Sequence, residues 1–302
     1  MELWIPDGKL IEEPQWGRLV ERLRSETDAF IENERLCIEI IKKRTTNAVA
    51  KRMPQEKFGI FLSGGVDSSL LALVARQLRG NFVCYTVGFE GGEEAKDVTF
   101  ARKAAERLGV EWRLKILRLQ EVEDYIRKAV NIMKTVQLVD SVSVGVSAVV
   151  MAAVDLAKKE KVTTFFGGLG AEEIFGGYHR HVMVEDVHGE CWRGLKAMWN
   201  RDLVRDAALA EALSITVLTP FLDKELIKAA MMVPGRYKIV HGERKVILRK
   251  AAEELGLLKE IAWRKKSAAM YGSSFDKALE KLAKRNGFKE KGVYLNSLRK
   301  VF

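Results

Sequence analysis

Between residues 16 and 53 the apolar positions Leu19, Leu23, Phe30, Leu36, Ile40, Ile41 and Val49 recur at near-helical spacing among arginines and glutamates, which predicts helix. A stripe of this kind suits a cover over a sheet edge. Pro54 interrupts it. The short apolar run Phe58-Gly59-Ile60-Phe61-Leu62 then meets Ser63-Gly64-Gly65, the pattern of a buried strand entering a tight turn. Downstream, residues 67–78 read as helix, 81–87 as strand, 95–108 as helix, 111–117 as strand, 142–157 as helix and 162–166 as strand. Strands alternating with helices of this length predict an α/β fold, a doubly wound parallel sheet. From about residue 185 helical periodicity takes over, as in 224–232 and 243–254, and predicts a helical C-terminal lobe. The chain therefore divides into an N-terminal helical segment (1–56), an α/β region (57–184) and the helical lobe (185–302). No internal repeat or Pro-rich linker separates them, so the lobes are expected to pack as one unit.

Composition narrows the setting. At 302 residues and 47% hydrophobic content the chain supports a substantial core. The longest uncharged stretch, 141–154, falls short of the roughly 18 to 20 apolar residues of a membrane span, so no transmembrane helix is expected. The first residues show no basic leader or small-residue cleavage site, and a cytoplasmic protein is expected. Cys37, Cys84 and Cys191 lack CxxC spacing, which argues against a disulfide framework and against zinc or iron–sulfur ligation. A net charge of +10 keeps a polyanionic partner such as tRNA open, although interspersed charges of both signs also describe an ion-pair-rich exterior.

Two glycine-rich strand ends carry the chemistry. In Ser63-Gly64-Gly65-Val66-Asp67-Ser68-Ser69 the glycines permit a tight turn with exposed N–H groups, the following helix adds positive potential, and the serines add hydroxyls. The product is an anion cradle suited to pyrophosphate, and no Gly-Lys-Ser/Thr follows to make it a Walker loop. The second is Gly167-Gly168-Leu169-Gly170-Ala171-Glu172-Glu173-Ile174-Phe175-Gly176-Gly177-Tyr178, where glycines again allow close approach and the acid pair offers metal ligands. A dinucleotide fingerprint fails here, because Glu173 stands where its third glycine belongs.

The first motif resembles the PP-loop of the ATP pyrophosphatases (adenine nucleotide alpha-hydrolase superfamily), which cleave ATP between the alpha and beta phosphates. The second is similar to the S-G-E-G-x-D-E-x-F-G-G-Y stretch of the asparagine synthetase synthetase domain. Arg205-Asp206, Thr219-Pro220-Phe221-Leu222-Asp223, the segment from Glu243 to Arg249, and Trp263-Arg264-Lys265-Lys266 resemble further blocks of that family in the same order, over about residues 55 to 275. The resemblance implies that Leu62, Ser63, Gly64, Gly65, Asp67 and Ser68 hold ATP or its pyrophosphate. It implies that Val87 and Gly88 meet adenine through backbone and that Gly167 and Gly168 join the nucleotide site. Asp67 and Glu172 would bind Mg²⁺, and Lys266 and Glu172 would be catalytic.

The departures matter as much. Leu169 replaces the glutamate of S-G-E-G, Glu172 replaces an aspartate, and Thr216 and Leu218 stand where the family has E-x-R. The variant string Gly168-Leu169-Gly170-Ala171-Glu172-Glu173, with Tyr178-His179-Arg180-His181 and Lys266 followed by Tyr271-Gly272-Ser273, more closely resembles the asparagine synthetase domain-containing protein 1 group. No nucleophilic cysteine follows Met1, and the 57 residues before the first strand are short for a glutaminase domain. Nitrogen is therefore expected from ammonia, an amine substrate or a separate glutaminase subunit. The expectation is an AMP- and pyrophosphate-forming amide ligase acting on a small carboxylate. The alternatives are a PP-loop enzyme acting on a tRNA base and a non-catalytic, nucleotide-binding regulatory protein. His179 and His181 are read as phosphate contacts, proton carriers or structural residues. The tail 276–302, with eight Lys or Arg against three acids and with Phe288 and Tyr294 interleaved, is read as an RNA contact or a solvated amphipathic helix.

Overall fold

The computed structural model describes residues 2–5, 8–27, 29–265 and 268–299. Strands β1 (Phe58–Phe61), β2 (Phe82–Phe89), β3 (Trp112–Leu117), β4 (Thr164–Phe166) and β5 (Thr216–Leu218) form one parallel sheet in the order β3-β2-β1-β4-β5. Helices α1 (Glu13–Ser25) and α2 (Glu34–Ala50) precede it, α3 (Val66–Gln77) and α4 (Lys96–Leu108) link the first three strands, and α5 (Leu119–Thr135) and α6 (Ser141–Ala157) return the chain to β4. Between β4 and β5 lie α7 (Ala171–Ile174), α8 (Val187–Ala197) and α9 (Val204–Leu213). The chain closes with α10 (Lys224–Met231), α11 (Gly235–Lys238), α12 (Val246–Glu254), α13 (Lys259–Ala262), α14 (Ala269–Gly272), α15 (Phe275–Arg285) and α16 (Lys291–Leu298).

Every residue of β2 is buried, as a strand covered on both faces requires. Side-chain alternation sorts the core into two layers. Phe58, Ile60, Leu62, Cys84 and Phe166 pack with α1, α2, α3, α10 and α12, while Val83, Tyr85, Val87 and Phe165 pack with α5, α6, α15 and α16. The first layer draws on all three stretches of the chain distinguished above. Strand order reverses between β1 and β4, so connections leave in opposite directions and a crevice opens at the carboxyl ends of these two strands.

Several expectations need correction. The helix expected over 16–53 is two helices, because Thr27 Oγ1 bonds Leu23 O at the end of α1 and Asn33 Oδ1 accepts from Leu36 N–H to start α2. Helix α5 went unread, although Val122, Ile126 and Val130 form its buried stripe. Strand β5 lies inside the lobe expected to be helical, an edge strand too short to show a period. The helix expected from Glu243 starts at Val246, since Glu243 bridges to Val240. Finally, α6 runs on through a 3-10 turn to Glu160, and this stretch is long and apolar enough to cross a membrane. It is a core helix, packed on the sheet and α5 and 56% buried over its most apolar window.

Candidate active site

The two glycine-rich loops meet at the crevice. Pairing of Ile60 with Phe166 sets the end of β1 beside the end of β4, and a Cβ on Gly168 would lie 3.4 Å from Asp67 Cβ. Gly64 has φ +70°, and a Cβ there would sit 2.7 Å from Phe100 Cβ and closer still to the backbone of α4, so only glycine makes this turn. Ser68 Oγ accepts from Ser63 N–H at 3.1 Å and lies 3.1 Å from Ser63 Oγ. Thr86 Oγ1 donates to Leu62 O at 2.6 Å and accepts from Trp112 Nε1 at 2.8 Å, which ties the turn to β2 and β3. The turn thus opens on the N-terminus of α3, where N–H groups favour an anion.

An acid pair stands beside it. Asp67, on the first turn of α3, is 3% exposed, and Glu172 projects from α7. Lys245 Nζ donates to Asp67 Oδ1 at 2.9 Å and Oδ2 at 2.8 Å, and lies 2.9 Å from Glu172 Oε1. Lys245 is itself buried, and its left-handed backbone (φ +57°), uncommon for a residue with a Cβ, places it immediately before α12. Gly177 closes the cluster: a Cβ on it would lie 2.7 Å from Glu172 Cδ and nearer still to Glu172 Oε2 and Lys245 Cε. One helical turn beyond Lys245, Arg249 donates to Arg244 O at 2.8 Å, to Arg264 O at 3.1 Å and to Ala262 O. Arg264 in turn donates to Ser63 O and to Asp97 Oδ1 at 2.5 Å, and its guanidinium lies 4.5 Å over the Phe100 ring. The Trp263-Arg264 segment is thereby strapped across the phosphate turn.

The cavity between these parts holds about 430 Å³. Its lining includes Glu173, Tyr178, Arg201, Asp202, Arg205 and Asp206. Glu173 accepts from Tyr178 Oη at 2.7 Å, and burial, then the neighbouring Asp202, pushes its carboxyl up to about 7. Arg205 bridges Asp202 at 3.0 Å and Asp206 at 2.7 Å, while Arg201 pairs with Asp202 at 2.6 Å. Apolar wall comes from Val146, Val149 and Val150 of α6, with Leu209 and Val217. Among the described residues no three His, Cys, Asp or Glu side chains converge as a metal cage. Asp67 and Glu172 still fit magnesium, an ion held by one or two carboxylates with substrate phosphates completing its oxygen shell.

Of the residues singled out from sequence, Leu62, Ser63, Asp67, Ser68, Val87, Gly167, Gly168 and Glu172 all face this cavity, as does Leu169. Gly64 and Gly65 shape the turn behind it. Gly88 turns toward α4, where a Cβ would meet Val98 Cγ2 at 2.7 Å. Lys266 lies outside the described residues. His181 sits in a 3-10 turn, its Nδ1 accepting from Tyr178 N–H at 3.1 Å; burial, then Arg180, lowers its pKa to about 4. The three cysteines are buried free thiols. In the basic tail Tyr294 is buried against the sheet's second layer and Phe288 packs beside it. Sequence reading missed Lys245, Tyr178 and Arg201 as site residues. Lys245 had a signal, since it lies within the Glu243 to Arg249 block; Arg201 had none.

The asparagine synthase family model matches residues 41–185 and 183–297. A protein of Methanocaldococcus jannaschii provisionally named asparagine synthetase 1 (glutamine-hydrolyzing) is 31% identical over 84% of this chain and 53% of its own length. The asparagine synthetase (glutamine-hydrolyzing) of Asparagus officinalis is 31% identical over 75% of this chain and 41% of its own. The chain thus spans about half the length of the relatives it matches. Among solved structures, the NMN synthetase of Francisella tularensis aligns over 89% of this chain and 94% of its own, with 14% identity and a TM-score of 0.42.

Proposed function

The chain belongs to the asparagine synthase family, and from that premise we propose that it is an AMP- and pyrophosphate-forming amide ligase. In this reading a carboxylate attacks the alpha phosphorus of ATP and ammonia or an amine then displaces AMP. The observation that carries the reading is the convergence of Asp67 and Glu172 on one cationic point beside the phosphate turn. That arrangement suits a pyrophosphate leaving group cradled by Ser63 to Ser68 and the N-terminus of α3. Magnesium held by Asp67 and Glu172 would supply charge neutralisation at the phosphate oxygens. Lys266 is proposed to neutralise charge growing on the alpha phosphate.

The acceptor is proposed to differ from aspartate. Leu169 on the cavity wall offers no carboxylate to orient an ammonium ion and take its proton, and the valines of α6 with Leu209 favour a larger or less polar acyl group. The nitrogen is proposed to arrive at this cavity as ammonia or an amine, with a separate glutaminase subunit as one proposed source of the ammonia. Three buried free thiols suit the reducing cytoplasm proposed as its setting. The test is product analysis: ATP, Mg²⁺, ammonium and a panel of carboxylates, with nucleotides separated chromatographically. AMP with pyrophosphate is expected; ADP as the sole product would overturn the proposal.

A further inference from the structure

We propose that Lys245 is a built-in counter-ion that keeps the Asp67–Glu172 pair closed to free divalent cation until nucleotide phosphates arrive to take its ammonium. The inference rests on the reading above, in which this pair meets the metal. Three distances of 2.8 to 2.9 Å place the Lys245 ammonium on both carboxylates at once. Packing holds it there: Lys245 is 3% exposed, its backbone is left-handed, and Gly177 leaves room for its Cε against Glu172 and for nothing more.

Charge decides what can enter. Arg249 is buried close enough for Asp67 and Glu172 to offset part of the cost of its own burial. Lys245 and Arg249 place two positive charges at the Asp67–Glu172 pair. A divalent ion entering alone would bring two further positive charges beside Lys245 and Arg249 and compete with an ammonium already in place. A nucleotide changes both terms. Its phosphates bring negative charge and offer oxygens to the three N–H donors of Lys245, so the lysine can turn from carboxylate to phosphate as the metal takes the carboxylates. Two protein carboxylates, with no third such ligand among the described residues, is also the set expected of an ion that depends on substrate phosphates. Metal should therefore enter with nucleotide and never ahead of it.

The test uses Mn²⁺ alone, with free ion counted by electron paramagnetic resonance. Wild-type protein without nucleotide should bind Mn²⁺ only in the millimolar range. Lys245→Met should bind it about ten-fold or more tightly, and Asp67→Asn added to Lys245→Met should abolish the gain. A purely structural lysine would lower metal affinity when removed, or leave it unchanged, and either result overturns the proposal. Should Lys245→Met fail to fold by circular dichroism, the wild type with Glu172→Gln decides. Micromolar Mn²⁺ binding without nucleotide that is lost in Glu172→Gln overturns the proposal, and millimolar binding supports it. Calorimetry of Mg·ATP binding to wild type separates the two readings: failure there sinks the proposed function, whereas normal Mg·ATP binding with unchanged Mn²⁺ affinity in Lys245→Met sinks only the counter-ion.

Discussion

Replacing Gly177 with alanine moves the acid pair without touching its charge. The added Cβ would lie 2.7 Å from Glu172 Cδ, where ordinary contact begins at 3.4 Å, and it would come nearer still to Glu172 Oε2 and Lys245 Cε. The Glu172 carboxylate must retreat by about 1 Å or more, and Lys245 with it. Gly177 is outside the left-handed region of the backbone, so the substitution acts through this collision and introduces no dihedral strain. Misplacement of a reacting group by about 1 Å costs on the order of 100-fold in rate, while crowding a packed site costs about 1 to 3 kcal/mol of stability. ATP–pyrophosphate exchange with an accepted carboxylate reads the first quantity and thermal melting the second. Gly292→Ala, on α16 with no atom within 4 Å of the new methyl, is the control. Exchange by Gly177→Ala within two-fold of wild type would mean that Glu172 need not sit where it does, and the active-site assignment would fall.

Lys266→Ala should lower exchange by about 100-fold or more with its melting temperature retained, the scale of one lost transition-state charge; unchanged turnover would return Lys266 to the solvated surface. Aspartate, ATP and ammonium should yield little or no asparagine by amino-acid analysis, because Leu169 cannot act as a base; several turnovers per second would refute this. Glu173 gives a pH prediction with a definite sign. Its carboxyl rises from an ordinary 4.5 to about 7 on folding, so the folded state holds the extra proton between these values, and this group's contribution to stability falls as pH rises through that window and is flat above it. Glu173→Gln keeps an acceptor for Tyr178 but does not titrate, so urea unfolding should show the variant gaining on wild type by up to about 3 kcal/mol from about pH 5 to about pH 8. A difference independent of pH would show that Glu173 is ionised throughout.

Much of this protein was legible in one dimension because its signals are local. The apolar run Phe58 to Leu62 followed by Ser-Gly-Gly defines a strand, a turn and an anion cradle within a dozen residues, and the alternation of runs that follows declares a parallel sheet. Most of the residues expected at the nucleotide site face one cavity because they sit at or just past the carboxyl ends of β1, β2 and β4, where a doubly wound sheet opens. Tertiary structure alone decided the rest. Pairing of β1 with β4, residues more than a hundred apart in sequence, brings Gly168 against Asp67. The left-handed turn at Lys245 carries its ammonium onto Asp67 and Glu172, which no spacing reveals, since three residues from three elements meet only after the lobes pack. Strand β5 takes its shape from the neighbour it pairs with and is too short to announce itself by period. Glu173 resembles any helix-start acid in sequence, and it is burial, in which α8 takes part, and then the charge of Asp202 that lift its pKa, because the cost of charge depends on what surrounds a group in the folded chain.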